Sequence, residues 1–262
     1  MLSSINELEP SLIDLAQGLR DQSNAVATSF LHNTKTCLNN QLIDTIQTIE
    51  SFLDSFEALC FMTSSSVIWL KNPLAIIADS AAGGVVIKDQ KILQLVAQGQ
   101  QPSCDYDEVM DCSELVLLPG LINGHHHFYQ TLTRALPQAL NKPLFGWLNS
   151  LYPVWAGLEP DMLYQATRLA LAELLLSGCT TAADHHYLFP QALTEAMDIQ
   201  AEAAASIGIR MTMTRGSMSL GVDDGGLPPQ TTVQQEDIIL ADSERVIQRY
   251  HDASEGSMLQ VA

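Results

Sequence analysis

From Leu117 to Ala262 short apolar runs alternate with amphipathic stretches, and that order constrains the fold more than any other feature of the sequence. Residues 117–123 are an apolar run ending in a polar cluster. In residues 161–177, Met162, Leu163, Ala166, Leu169, Ala170 and Leu174 recur at helical spacing. Pro160 suits the first turn of that helix and Gly178 its stop. Residues 179–184 read as a strand, 190–207 as an Ala-rich helix stopped at Gly208, and 209–214 as a strand. Then come a loop over 221–229, a helix over 232–250 and a strand over 258–262. A β-α-β-α-β-α-β order requires parallel strands joined by helical crossovers. The fold class is therefore α/β. A (β/α)8 TIM-type barrel is one fold with this order, and because it takes eight strands and typically about 250 residues, four strands would be a partial one. In such a barrel, chemistry gathers at the rim formed by the C-terminal ends of the strands.

Two other segments precede the alternation. Residues 62–118 are rich in short β-runs at 64–70, 75–78, 84–88, 91–96 and 115–118. Lys88-Asp89-Gln90-Lys91 has the character of a tight hairpin turn. The expectation is the N-terminal part of a small, β-sandwich-like domain. Residues 1–61 carry two apolar stripes at helical spacing, Ile5, Leu8, Leu12, Leu15 and Leu19, then Leu42, Ile46, Ile49, Leu53, Phe56 and Cys60. They read as a helical extension, two amphipathic helices that pack on each other or supply contacts for a homo-oligomer. Residues 119–262 carry the alternation and are expected to form the first half of such a barrel.

Charge narrows the choice of partner. The 262 residues carry 30 Asp+Glu against 12 Lys+Arg, a net charge of −18, spread along the chain with no basic block. A nucleic-acid surface needs clustered Lys and Arg to neutralise phosphates, so that class is excluded. Five cysteines, an odd number without CxxC spacing, fit reduced thiols in the cytoplasm. The sequence has neither a signal peptide pattern nor an apolar run of about 18 residues, so no membrane partner is expected.

Five of the seven histidines lie in two clusters, each at the end of an expected strand. One is Gly124-His125-His126-His127 and the other is His185-His186. Side chains alternate faces along a strand, so His125 and His127 point the same way and His126 points oppositely. Two imidazoles presented together at a barrel rim suit one divalent metal. His126 reads as a structural group or one that orients a ligand. Trp147, Tyr152 and Trp155 read either as core packing or as an apolar lid over a flat ring.

The run Pro119 to His127, continued by Phe128-Tyr129-Gln130-Thr131-Leu132-Thr133-Arg134, resembles the amidohydrolase superfamily. It is most similar to the branch holding 8-oxoguanine deaminases and hydroxydechloroatrazine ethylaminohydrolases. Residues 147–155 (WLNSLYPVW), 178–190 (GCTTAADHHYLFP) and 214–229 (TRGSMSLGVDDGGLPP) extend the likeness, which covers about 62–262. The resemblance implies a metal-dependent hydrolytic deamination, with zinc or iron making water a nucleophile toward the ring carbon that bears the amino group. It carries His125 and His127 over as metal ligands. Gln130 corresponds to a glutamine that hydrogen-bonds the purine edge, a task for which an amide both donates and accepts. His185, His186 and Arg215 are further candidates for the substrate pocket, with Asp184 or backbone contacts and an ion pair as their structural alternatives. The implied substrate is a small-molecule purine such as 8-oxoguanine, or else an N-alkylamino hydroxytriazine.

The family's third metal histidine, its catalytic glutamate, a further histidine and an aspartate belong to the fifth, sixth and eighth strands. The likeness ends in the fourth. The expectation is an N-terminal fragment with no catalytic residue of its own. A non-catalytic interaction fragment is the remaining alternative.

Overall fold

The structure is a computed structural model and describes residues 66–262. The two helical stripes expected in residues 1–61 lie outside the described residues. What is described divides into two compact units, one ending at Gly120 and the other starting at Leu121.

The first unit contains β1 (Val67–Lys71), β2 (Ala75–Ile76), β3 (Gly84–Lys88), β4 (Lys91–Val96), β5 (Glu108–Asp111) and β6 (Val116–Leu117). One sheet has the order β4-β3-β1-β5, and β2 pairs with β6 in a second. The hairpin turn is where the sequence puts it. Lys88 pairs with Lys91, and Asp89 takes the left-handed conformation (φ 50°) that reverses the chain. Gly84 sits at φ 113°, and a Cβ there would run into the Leu70 carbonyl, so this position requires glycine. Trp69, Val86 and Val96 make the core, and the Trp69 indole donates to the Gly83 carbonyl at 3.2 Å. β5 is not signalled by the sequence. It is a largely exposed edge strand paired in parallel with β1, so Glu108-Val109-Met110-Asp111 carries no apolar alternation.

In the second unit β7 (Leu121–His126) leads through irregular chain to α1 (Leu144–Trp155) and α2 (Pro160–Leu176). Then follow β8 (Cys179–His186), α3 (Ala196–Ile207), β9 (Arg210–Arg215), α4 (Glu236–Tyr250) and β10 (Leu259–Val261). The strands form one parallel sheet in the order β10-β9-β8-β7. This is an α/β arrangement of barrel type. Pro160 occupies the first turn of α2 as expected, and Gly208 ends α3 in the left-handed conformation (φ 75°) that glycine adopts without strain.

Several elements differ from the sequence reading, and β8 runs on to His186. The Ala-rich helix begins at Ala196, because residues 190–195 are spent on a turn in which the Leu193 amide donates to the Pro190 carbonyl at 2.7 Å. The helix expected from 232 starts at Glu236, after a 3-10 turn at Gln230–Thr232. Helix α1 forms where no helix was read, with Pro153 in its interior.

The buried positions follow the period of each element. On β8, Ala182, Asp184 and His186 are buried; on β9, Met211, Met213 and Arg215. These alternate residues face the helical side. Leu163, Ala166, Ala170 and Leu171 of α2, with Met197, Ala201 and Ala204 of α3, supply the apolar cover. The alanines let α2 and α3 lie close along one another. Each fully buried leucine contributes roughly 1.5–3 kcal/mol relative to exposure.

Candidate functional site

β7 delivers its histidines to the C-terminal end of the sheet. The chain leaves it through His127 into a 3-10 turn, Phe128–Thr133. His125 is exposed, His126 and His127 are half-buried, and Phe128 and Tyr129 are fully buried. The turn thus anchors its aromatics inside and leaves the histidines at the surface of the rim.

Three imidazoles come together there. The His125 and His127 rings lie 5.0 Å apart and nearly perpendicular, and His185 stacks on His125 at 4.3 Å. His127 Nδ1 lies 2.7 Å from the His185 carbonyl. A carbonyl only accepts, so Nδ1 carries the proton and Nε2 keeps its lone pair. Burial, with His125 and His185 nearby, holds His127 below the usual histidine range, against the His185 carbonyl. A neutral imidazole with a free Nε2, fixed through Nδ1 by a backbone carbonyl, is the form in which histidine ligates a metal.

β8 makes a second hold on the same stretch. The Asp184 carboxylate is wholly buried. It accepts from the Phe128 amide at 2.8 Å and from Gln200 Nε2 of α3 at 2.5 Å. Burial pushes Asp184 up to about 7, while the Phe128 amide, Gln200 and the His185 backbone favour its charged form. Asp184 was read from the sequence only as a partner for His185 or His186. The signal for its larger part was a carboxylate at the buried parity of an otherwise apolar strand.

The other candidates separate by face. Gln130 is half-buried and donates to the Tyr129 hydroxyl at 3.3 Å, and the Tyr129 ring lies 6.1 Å from that of His127. His186 is fully buried, edge-on to Tyr129 and Phe189, and burial takes it down to about 3 against the Leu188 backbone. The Arg215 side chain is 1% exposed. It donates to Asp242 at 2.9 Å, the Gly216 carbonyl at 2.6 Å and Gln234 at 2.7 Å, with its guanidinium 3.9 Å over Phe189. The ion pair is therefore what the geometry gives Arg215. Tyr152 and Trp155 pack in the core, where Trp155 Nε1 donates to Thr133 at 3.0 Å and meets Trp147 edge-on.

His125 and His127 offer a divalent cation two imidazole nitrogens. No group of three or more His, Cys, Asp or Glu side chains arranged to hold a metal occurs among the described residues.

Residues 116–259 match the family model described as Amidohydrolase family, a span that takes in β7 to α4 and the whole rim. The chain belongs to the amidohydrolase family. This amidohydrolase chain is 58% identical over 197 residues to 8-oxoguanine deaminase of Pseudomonas aeruginosa, covering 74% of this chain and 44% of that protein. It is 37% identical over 157 residues to hydroxydechloroatrazine ethylaminohydrolase of Pseudomonas sp. strain ADP, covering 59% of this chain and 33% of that protein. Among solved structures, triazine hydrolase from Arthrobacter aurescens matches at 29% identity and a TM-score of 0.67, over 75% of this chain and 45% of that one. Atrazine chlorohydrolase from Arthrobacter aurescens TC1, complexed with zinc, matches at 29% identity and a TM-score of 0.66, over 74% of this chain and 46% of its own. The chain spans between a third and a little under half of the length of these relatives.

Proposed function

We propose that this amidohydrolase chain carries part of the site of a metal-dependent hydrolytic deaminase whose substrate is a purine-type ring, 8-oxoguanine first. The observation that carries the reading is the rim. His125 and His127 stand 5.0 Å apart with His127 held in its Nδ1–H tautomer. The 58% identity to an 8-oxoguanine deaminase supports the choice of ring. The four parallel strands are read as four of the eight in a barrel, and the β4-β3-β1-β5 sheet as one layer of a sandwich.

His125 and His127 would hold a divalent cation, zinc before iron, in keeping with the zinc-complexed relative. Such a cation supplies acidity to water, bringing hydroxide within reach of neutral pH. The chain's own residues prepare for it. The His185 carbonyl fixes which His127 nitrogen is free. His125 and His185 stack on each other with their rings 5.0 and 6.1 Å from that of His127. Gln130, three residues beyond His127, offers an amide edge to the ring's N–H and C=O groups. Phe128 and Tyr129, fully buried, keep this turn from moving away from the rim.

A hydroxytriazine substrate is the second reading, favoured by the likeness to triazine hydrolase structures. Ammonia or amine release decides between them. The test uses zinc-loaded protein, both this chain and this chain joined to the remainder of the Pseudomonas aeruginosa relative. The expected result is turnover of 8-oxoguanine at least tenfold above that of the hydroxytriazine, abolished by His127→Ala. The reverse ranking transfers the assignment to the triazine. Turnover of neither ring by either form overturns the deaminase reading.

A further inference from the structure

We infer that Asp184 is a positioning residue for the metal ligand His127, with Gln200 as its support. The inference rests on the proposed metal site and adds a residue to it.

The argument starts from how β7 ends. The strand is irregular there, its pairing with β8 shifting register between Asn123 and His126. Regular ladder bonds therefore do not fix the residues that matter. β8 fixes them with two special bonds. The His185 carbonyl takes the proton of His127 Nδ1 at 2.7 Å, and the Asp184 carboxylate takes the Phe128 amide at 2.8 Å. The two contacts come from adjacent residues of β8 and grip adjacent residues of the β7 exit. One sets the ring and the other sets the peptide unit that carries it. His127, at the N-terminus of the 3-10 turn, makes no side-chain cap of its own. Asp184 supplies that cap from 56 residues away.

A carboxylate held at one end only would be free to rotate. Its second oxygen accepts from Gln200 Nε2 at 2.5 Å, and both side chains are fully buried. α3 is thereby tied through Asp184 to the metal-ligand turn. Burying an acid costs free energy unless its lone pairs are used, so a purely structural position would favour an alanine such as Ala182, its neighbour on the same face. Removing hydrogen bonds that orient metal ligands commonly costs roughly 10–100-fold in metal affinity.

The substitutions separate geometry from charge. In Asp184→Asn, Oδ1 still accepts from the Phe128 amide. Its Nδ2 donates to Gln200 Oε1 once the Gln200 amide flips, a turn that breaks no hydrogen bond of Oε1 among the described residues. Asp184→Ala removes the cap altogether. Two readouts are made on the 262-residue chain. One is zinc affinity, by competition with a chromophoric chelator. The other is the tautomer of His127 in the metal-free protein, by long-range proton–nitrogen NMR, assigned with His127→Asn. Asp184→Ala is expected to bind zinc at least tenfold more weakly and to give a mixed His127 tautomer. Asp184→Asn is expected to stay within about threefold of wild type with the Nδ1–H tautomer kept. If Asp184→Ala does not fold, Gln200→Ala takes its place, with an expected loss of several-fold and a partly mixed tautomer. Wild-type affinity and tautomer in the alanine variant, or in Gln200→Ala where that one is used, overturn the inference. The double variant His125→Ala/His127→Ala checks the underlying site separately. If it binds zinc as tightly as wild type, the metal reading fails, and the tautomer readout still decides what Asp184 does to His127.

Discussion

Replacing Asp242 with alanine should cost more stability than replacing the arginine it serves. Arg215 ends β9 with all three guanidinium nitrogens engaged and its side chain 1% exposed. Burial, the dominant influence, lowers its pKa even with Asp242 beside it, so the site tolerates the cation only because a carboxylate compensates it. Asp242→Ala leaves a buried charge without its counter-charge, a change that costs about 3–5 kcal/mol. That is a large share of the ~5–15 kcal/mol that holds a typical domain together. Arg215→Met removes the charge together with the need for compensation. Asp242 then keeps Arg245, which lies 2.8 Å away and also pairs with Asp198 of α3 at 2.6 Å. The expected cost is about 1–2 kcal/mol, set by the lost hydrogen bonds. Urea unfolding followed by far-UV circular dichroism measures both, with equal m-values required for the comparison. A loss below 1 kcal/mol in Asp242→Ala, or a larger loss in Arg215→Met, refutes the buried-pair argument. If Arg215→Met leaves stability unchanged yet weakens binding of a purine ring to the chain, Arg215 belongs to the proposed substrate pocket instead.

Two groups on β8 give opposite pH dependences in the metal-free chain. His186, lowered to about 3, contributes stability that is present above pH 6.5 and lost as pH falls toward 3. Asp184, raised to about 7, contributes stability that is present below pH 3.8 and lost as pH rises through 7. Each is worth roughly 4–5 kcal/mol, so wild type should show a shallow profile between pH 4 and 6.5, whereas Asp184→Asn should lose several kcal/mol over that window. Unfolding free energies at stepped pH check this, and identical profiles would refute it. Leu163→Ala, at a fully buried position of α2, should cost about 2–5 kcal/mol by denaturation, and Leu240→Ala, 70% exposed on α4, under about 0.5. Breaking the Arg134–Glu173 pair with Arg134→Ala should shift stability by less than about 1 kcal/mol, because Arg134 is 39% exposed.

The parts of the fold legible in the sequence were those with a clean period. α2 shows its apolar face at helical spacing, with a proline at its start and a glycine after its end. Gly208 marks the end of α3 for the same reason. α1 was hidden because Leu144-Phe145-Gly146-Trp147-Leu148 is apolar with little polar relief and Pro153 interrupts the pattern. Tertiary packing, with Trp155 buried against Tyr129 and bonded to Thr133, stabilises that helix where local propensity does not. β5 was hidden for the opposite reason, since an exposed edge strand needs no apolar side chains.

The candidate site divides in the same way. His125 and His127 were legible because a His-x-His after an apolar strand is a local pattern. Asp184 and Gln200 were not, because their partners come from other elements. The His185-His186 pair shows where local reading stops. Neighbours on a strand point to opposite faces, so two adjacent histidines cannot share one role there. His185 goes to the rim, stacked on His125, and His186 goes beneath the sheet, enclosed by Tyr129 and Phe189. Arg215 and Asp184 fall on the His186 side by the same alternation. The strand period therefore sorts the chemistry. Groups on the open parity can meet a metal or a ring. Groups on the buried parity reach the site only by holding the backbone or side chains that meet it, and Asp184 does so through the Phe128 amide.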